Sequence, residues 1–267
     1  SIASKEPLNL LEDFDLDYQP EDLTGAADIN VIATISQFGD GKPEGLDYTL
    51  NGSVQDFASA APIEGRDVKE GDLQFTASQA GYQASGRVLV DDVLADLRIE
   101  AEDDAEPVIT ASATLSEEER AKLGFDVSQF VTGPIRVVGR PVGDDIQVAV
   151  DLTNAALKFS ELGVTKKKGV AGQLNAEIRM AEDSVDVPQI DLRFGDVRIA
   201  GELDFHYEKG LTSAKMSTFQ LNPGDKAQVE LSPIEGGFKV DLSGEQLDLK
   251  PMLRRFLGLD QGTSAAT

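Results

Sequence analysis

The chain has 267 residues, 27% of them charged, with 48 acids against 24 bases and a formal net charge of −24. Such a surface repels phosphate backbones, which argues against nucleic acid as a partner. Cysteine is absent and His206 is the single histidine, which excludes disulfides, thiolate chemistry and a two-histidine zinc motif within the chain.

Residues 1–21 are acidic and irregular, and they do not read as a charged-then-apolar signal peptide. The opening at Ser1 reads as mid-phrase, so a fragment of a longer protein is expected. From Leu23 a period of two takes over, the signature of strands with one dry and one wet face. Ile29, Val31, Ala33 and Ile35 form the first dry row, followed by Leu46, Tyr48, Leu50 and Gly52. Leu73, Phe75 and Ala77 come next, then Tyr82, Ala84, Gly86, Val88 and Val90. Val93, Ala95, Leu97 and Ile99 follow, and a strand at 107–115 closes a first β repeat over 22–115.

At 116–125, "SEEERAKLGF" breaks the pattern. Ser116 with Glu119 makes a capping box, and Gly124 suits a helix stop, so a short helix and linker occupy 116–130. A second β repeat spans 131–246. Its dry rows hold Ile135 and Val137, then Ile146, Val148, Val150 and Leu152, then Gly172, Leu174, Ala176, Ile178 and Met180. Val197, Ile199, Gly201, Leu203 and Phe205 alternate with Arg198, Ala200, Glu202, Asp204 and His206. Strands at 212–221, 227–234 and 236–244 follow, the last carrying Val240. Residues 247–267 read as a short helix after Pro251, with Leu253, Phe256 and Leu257 on one stripe, and a tail. Two weak internal matches mark the repeat. "LTGAADINV" resembles "VTGPIRVVG", and "YQASGRVLVDD" resembles "VRIAGELDFHY", each strand of the latter pair having a central glycine.

About a dozen strands of about eight residues present a dry face on the order of 1,500 Å². Soluble monomers rarely expose more than a few hundred Å² of contiguous apolar surface. Two short helices do not cover that area, so the sheet either closes on itself or covers an apolar ligand. Catalytic signals are missing. His206 lies in a strand without a nucleophile elbow, and no phosphate-cradling glycine loop precedes a helix. The pairs Asp91–Asp92, Asp103–Asp104 and Asp144–Asp145 sit where turns are expected, a role that suits aspartate. The run Lys166–Lys167–Lys168 reads as a solvated hairpin tip or as a contact for an acidic headgroup or partner. No catalytic residue, metal or cofactor is assigned.

Three stretches carry a resemblance. "SEEERAKLGFDVSQFVTGPIRVVG" (116–139), "VDVPQIDLRFGDVRIAGELDF" (185–205) and "FKVDLSGEQLDLKPMLRRF" (238–256) resemble the linker, recurring strand pair and ending of the AsmA-like family of Gram-negative bacteria, of the large YhdP and TamB type. The match covers most of residues 22–258. The resemblance implies an all-β fold, an elongated antiparallel sheet curled into a U-shaped, taco-like groove built from repeats, with one or two short helices. It implies a non-enzymatic, bridge-like lipid transfer protein, anchored in the inner membrane and crossing the periplasm, that carries phospholipid toward the outer membrane. The membrane contacts belong to parts outside this chain.

Read together with the dry rows, the expected lipid-lining residues are Ile29, Val31, Leu73, Phe75, Val88, Leu97, Ile99, Val148, Val150, Leu174, Ile178, Val197, Ile199, Leu203, Phe205 and Val240. A structural or interaction β-repeat module with a closed core and no lipid stays open beside this reading. A glycan-active enzyme does not suit the low aromatic content of 6%.

Overall fold

The computed structural model describes residues 23–38, 42–61, 66–102, 105–124, 126–181, 183–248 and 250. The expected irregular segment 1–21, the pair Asp103–Asp104 and the helix after Pro251 lie outside the described residues. The described chain is nearly all β, with one short α-helix and one 3-10 turn. Among the described residues no helix is long and apolar enough to cross a membrane. The chain forms two compact units, Ser1–Pro107 and Val108–Thr267.

The first unit is an antiparallel meander of β1 (Leu23–Phe38), β2 (Lys42–Ser59), β3 (Val68–Ser78), β4 (Gly81–Val90) and β5 (Val93–Glu102), each paired with the next. Its two end strands do not pair with each other, so it is not a closed barrel. The register brings the dry rows together. Val31 faces Leu50 and Ile29 faces Gly52, while Gly52 faces Phe75 and Val54 faces Leu73. Phe75 then faces Ala84, and Gly86 faces Leu97. Directly paired residues of antiparallel strands share a face, so these side chains form one apolar surface. The β4–β5 hairpin turns on Asp91 and Asp92, both at positive φ (49° and 63°). That is the type I′ geometry whose twist suits a two-residue hairpin. Asp91 also accepts from Arg66 at 2.8 Å and from the Asp67 N–H at 3.0 Å.

The second unit has a nine-stranded antiparallel sheet. Its order is β6 (Val108–Leu115), β8 (Ile135–Val142), β9 (Asp145–Asp151), β12 (Gly172–Met180), β13 (Ser184–Phe194), β14 (Val197–His206), β15 (Gly210–Gln220), β16 (Lys226–Ile234) and β17 (Gly237–Gln246). β6 and β17 do not pair with each other. A separate three-stranded sheet is made by β7 (Val131–Thr132), β10 (Ala156–Phe159) and β11 (Val164–Lys166), in the order β11-β10-β7. The dry rows again coincide across the large sheet. Val150 faces Leu174, Leu174 faces Leu192, Leu192 faces Ile199 and Ile199 faces Phe219. Farther along, Leu203 faces Ala214, Ala214 faces Leu231 and Leu231 faces Val240.

β-Bulges interrupt strands in both units. In the first unit β2 and β3 each slip register, and the irregular residues Asp56 and Glu70 have φ of 53° and 51°. In the second, the extra residues lie on β13, β15 and β17. A bulge bends its strand and increases local twist. The central glycines of the two similar sequences sit at these bends. A methyl on Gly86 would strike the Asp72 carbonyl oxygen, and one on Gly201 would strike that of Lys215. The crowding strand precedes the glycine strand in the first case and follows it in the second. The two glycines thus share a steric role but not a topological position.

The helix α1 (Glu117–Lys122) begins as expected. The Ser116 hydroxyl accepts from the Glu119 N–H at 3.2 Å, and the Glu119 carboxylate accepts from the Ser116 N–H at 2.7 Å. Gly124, at φ 84°, donates its N–H to Ala121 O at 3.1 Å and ends the helix.

Candidate functional site

The apolar faces are the candidate site, and they are unevenly covered. In the second unit the small sheet lies over one end of the main sheet. Leu157 of β10 is 2% exposed and belongs to a core with Val150, Leu152, Phe194, Val197, Phe219, Leu221 and Ala227. Val131, Phe159, Leu162 and Val164 of the small sheet and its turn pack against that core from one side. Ile135, Val137, Val148, Leu174, Leu192, Ile199, Met216 and Val229 do so from the main sheet. Phe130 stacks on Phe159 with ring centroids 5.8 Å apart. This cap answers part of the question raised by the dry rows. Its strands have two to four residues, too short to show a period, so the sequence offers no pattern by which to separate them from the main sheet.

Beyond the cap the same face opens. Phe205, Phe238, Val240 and Leu242 are 40%, 47%, 59% and 44% exposed. Phe238, Val240 and Leu242 oppose Pro233, Leu231 and Val229, so they continue one apolar surface to the last strand. In the first unit Ile29 and Val31 are exposed, while Val88 is buried near Val68, Val93 and Ala95. The sixteen expected lining residues therefore fall into three groups. Val88, Val150 and Val197 are buried by protein. Leu73, Phe75, Leu97, Ile99, Val148, Leu174, Ile178, Ile199 and Leu203 are half-buried, and Ile29, Val31, Phe205 and Val240 are exposed. Phe238 and Leu242 join them on the open face, and the alternation of "GFKVDLSGE" already signals both.

Two buried cations hold the cap in place. Lys166 opposes Leu157 across the β10–β11 hairpin and so points inward. It is 3% exposed, against the expectation of a solvated tip. Its ammonium donates to Leu152 O at 2.6 Å and Ala155 O at 2.7 Å. Burial pulls its pKa below the usual lysine range, opposed by the nearby Asp151. Lys167 and Lys168 are exposed as expected. Arg120 of α1 is 2% exposed and donates to Leu115 O, Gly133 O and Val131 O at 3.2, 2.8 and 3.0 Å. It ties the end of β6 to β7, while the Glu117 carboxylate accepts from the Gly133 N–H at 2.8 Å. At the far end of the core, buried Asp225 accepts from the N–H groups of Leu221, Asn222 and Asp248. Burial raises its pKa, but the donated hydrogen bonds outweigh this and hold the carboxyl below the usual range.

The polar face is satisfied by its own charges. A concavity of about 620 Å³ over β13–β17 contains Asp191, which Arg193 and Arg198 engage together, and Glu202 lies 3.6 Å from Lys215. Asp145, the first residue of β9, pairs with Arg179 through two bonds of 2.8 Å. His206 ends β14, where its Nδ1 accepts from the Glu208 N–H at 3.1 Å. Among the described residues, no cluster of three or more side chains suited to a metal converges. Comparison with protein-family models, curated proteins and solved structures finds no match to this chain.

Proposed function

We propose that the chain binds phospholipid acyl chains along its apolar sheet faces and conducts them without chemistry. It would be one segment of an AsmA-like, U-shaped groove that crosses the periplasm from an inner-membrane anchor toward the outer membrane. The observation that carries this reading is the row of large apolar side chains left open beyond the cap. Phe205, Phe238, Val240 and Leu242 share one face with Leu203 and Leu231, and water is a costly neighbour for all of them. Apolar burial returns about 25 cal/mol per Å² and is non-directional. A surface of this kind holds a chain without fixing its position along the trough, which is what conduction requires.

A second reading has its own support. The core beneath the cap is a closed, conventional interior, as a structural β module would have. Mass spectrometry of a solvent extract of the purified, folded chain separates the two. The lipid reading expects co-purified phospholipid in stoichiometric amount. An extract free of phospholipid would favour the closed module.

A further inference from the structure

The strand β17 is the last in its sheet, and among the described residues nothing pairs with its outer edge. All ten of its residues are exposed. The direction of its backbone groups follows from the hairpin that leads into it. The turn Glu235–Gly236 has two residues, so Ile234 and Gly237 close it as a hydrogen-bonded pair. Bonded and non-bonded pairs alternate from there, which sets Pro233, lacking an N–H, in a non-bonded pair with Phe238. Gly237, Lys239 and Asp241 therefore bond to β16, while the N–H and C=O of Phe238, Val240 and Leu242 point to the open side. Edge strands are usually blunted by proline, by a bulge or by an unmatched lysine. β17 contains no proline, and its register slip lies at its far end, between Gly244 and Gln246. Its lysine is matched, since the Lys239 ammonium donates to the Asp241 carboxylate of the same strand at 2.7 Å. Asp241 in turn stands opposite Glu230 on β16, a like-charge pair that a base on the open side would relieve.

This edge is self-complementary about Val240. Reversed and set against itself, "GFKVDLS" (237–243) places Val240 opposite its own copy, Phe238 opposite Leu242, Lys239 opposite Asp241 and Gly237 opposite Ser243. The same register suits the backbone. Val240 with its copy, and Phe238 with Leu242, become the bonded pairs, so the outward groups of all three residues find partners. The geometry points to antiparallel, edge-to-edge pairing of β17 with β17 of a second copy of this chain, in a two-fold dimer. Directly opposed residues share a face, so the open apolar rows of the two copies join into one surface and the Lys239–Asp241 pairs form on the other side. β1, the outer strand of the first unit, is a poorer partner for β17. Its single charged residue is Asp28, which would leave Asp241 without a base. So short a ladder buries well under the roughly 1,600 Å² of a standard interface, and a dissociation constant on the order of 10 µM is expected.

The test is sedimentation equilibrium of the full chain in lipid-free buffer, at about 0.15 M salt to screen the repulsion between two acidic copies. A range of about 1 to 200 µM brackets the expected affinity. The wild type is expected to pass from monomer to dimer. Lys239→Asp and Asp241→Lys each set like charges against each other twice across the two-fold axis, and each is expected to weaken the dimer about tenfold. An equimolar mixture of the two variants is expected to form a heterodimer at least as tight as the wild-type dimer, because each reversed charge meets its complement in the other chain. Both side chains are exposed, and unchanged thermal unfolding confirms that the variants fold. A wild type that stays monomeric throughout overturns the inference. So does a dimer that the reversals leave unchanged, or a mixture no tighter than either variant alone, since another surface would then be in use. Growth beyond the dimer also overturns it, by marking head-to-tail pairing of β17 with β1. With no lipid present, none of these outcomes bears on the acyl-chain reading.

Discussion

Replacing Gly201 by alanine is expected to destabilise the chain by about 3 kcal/mol, with Gly86→Ala of similar size and Gly139→Ala close to neutral. The reason is contact, not backbone freedom. At Gly201 the added methyl would meet the Lys215 carbonyl oxygen and lie 2.6 Å from Met216 Cα; at Gly86 it would meet the Asp72 carbonyl oxygen and lie 2.8 Å from Leu73 Cα. These are backbone atoms of a paired strand, so no rotamer change relieves the clash. Either the bulge opens or the ladder breaks. Gly139 in β8 has nothing within 4 Å of the same position, which makes it the internal control. There alanine restricts the unfolded chain and is tolerated or slightly favourable. Urea denaturation of the three variants measures the difference. Equal midpoints at Gly201 and Gly139 would contradict the close approach at the bend.

Arg120→Met is expected to cost about 3 kcal/mol, while Glu118→Gln, exposed on the same helix, changes little. The methionine keeps much of the volume but removes the guanidinium that bonds three carbonyls. Hydrogen bonds to a charged group contribute about 1.5–3 kcal/mol each. The desolvation of a buried cation offsets part of that sum, and Arg120 Nε has no partner among the described residues. The net is therefore far below three full bonds. Because these bonds tie β6 to β7, the variant should also loosen the cap, read as faster amide exchange at Leu157 and Lys158 than at Leu203. A midpoint shift no larger than that of Glu118→Gln would mean that Arg120 is merely packed there.

The sequence made the strand faces legible because alternation is a local property. In β14 five inward residues, Val197 to Phe205, alternate without interruption, and the structure keeps them on one face because that strand has no bulge of its own. The α1 start was equally legible, since Ser116 and Glu119 are three residues apart and cap each other. The cap was not. β7 has two residues and β11 three, and their pairing with β10 is set by the Gly163 turn, where φ is 68°, and by packing on Phe194 and Phe219. The burial of Lys166 is hidden from the sequence for the same cause. A triple lysine suggests solvent, but the hairpin register sets the first of the three opposite Leu157. Bulges at Asp56 and Glu70 were illegible as well, because neither residue is a glycine that would flag positive φ. Among the expected lining residues this matters most for Val150 and Val197, whose inward direction was readable but whose burial beneath the cap was not.

The most direct measurement of the acyl-chain proposal places a photo-crosslinking phenylalanine analogue at four positions in cells producing the protein. Phe205 and Val240 lie on the apolar face beyond the cap, whereas Glu202 and Asp241 lie on the opposite face of the same strands. Phe205 and Val240 are both exposed, so the analogue enters without opening the core. The account predicts phospholipid adducts at Phe205 and Val240 and none above background at Glu202 and Asp241. Adducts at neither inward position in a folded protein, or equal capture on both faces, would contradict it.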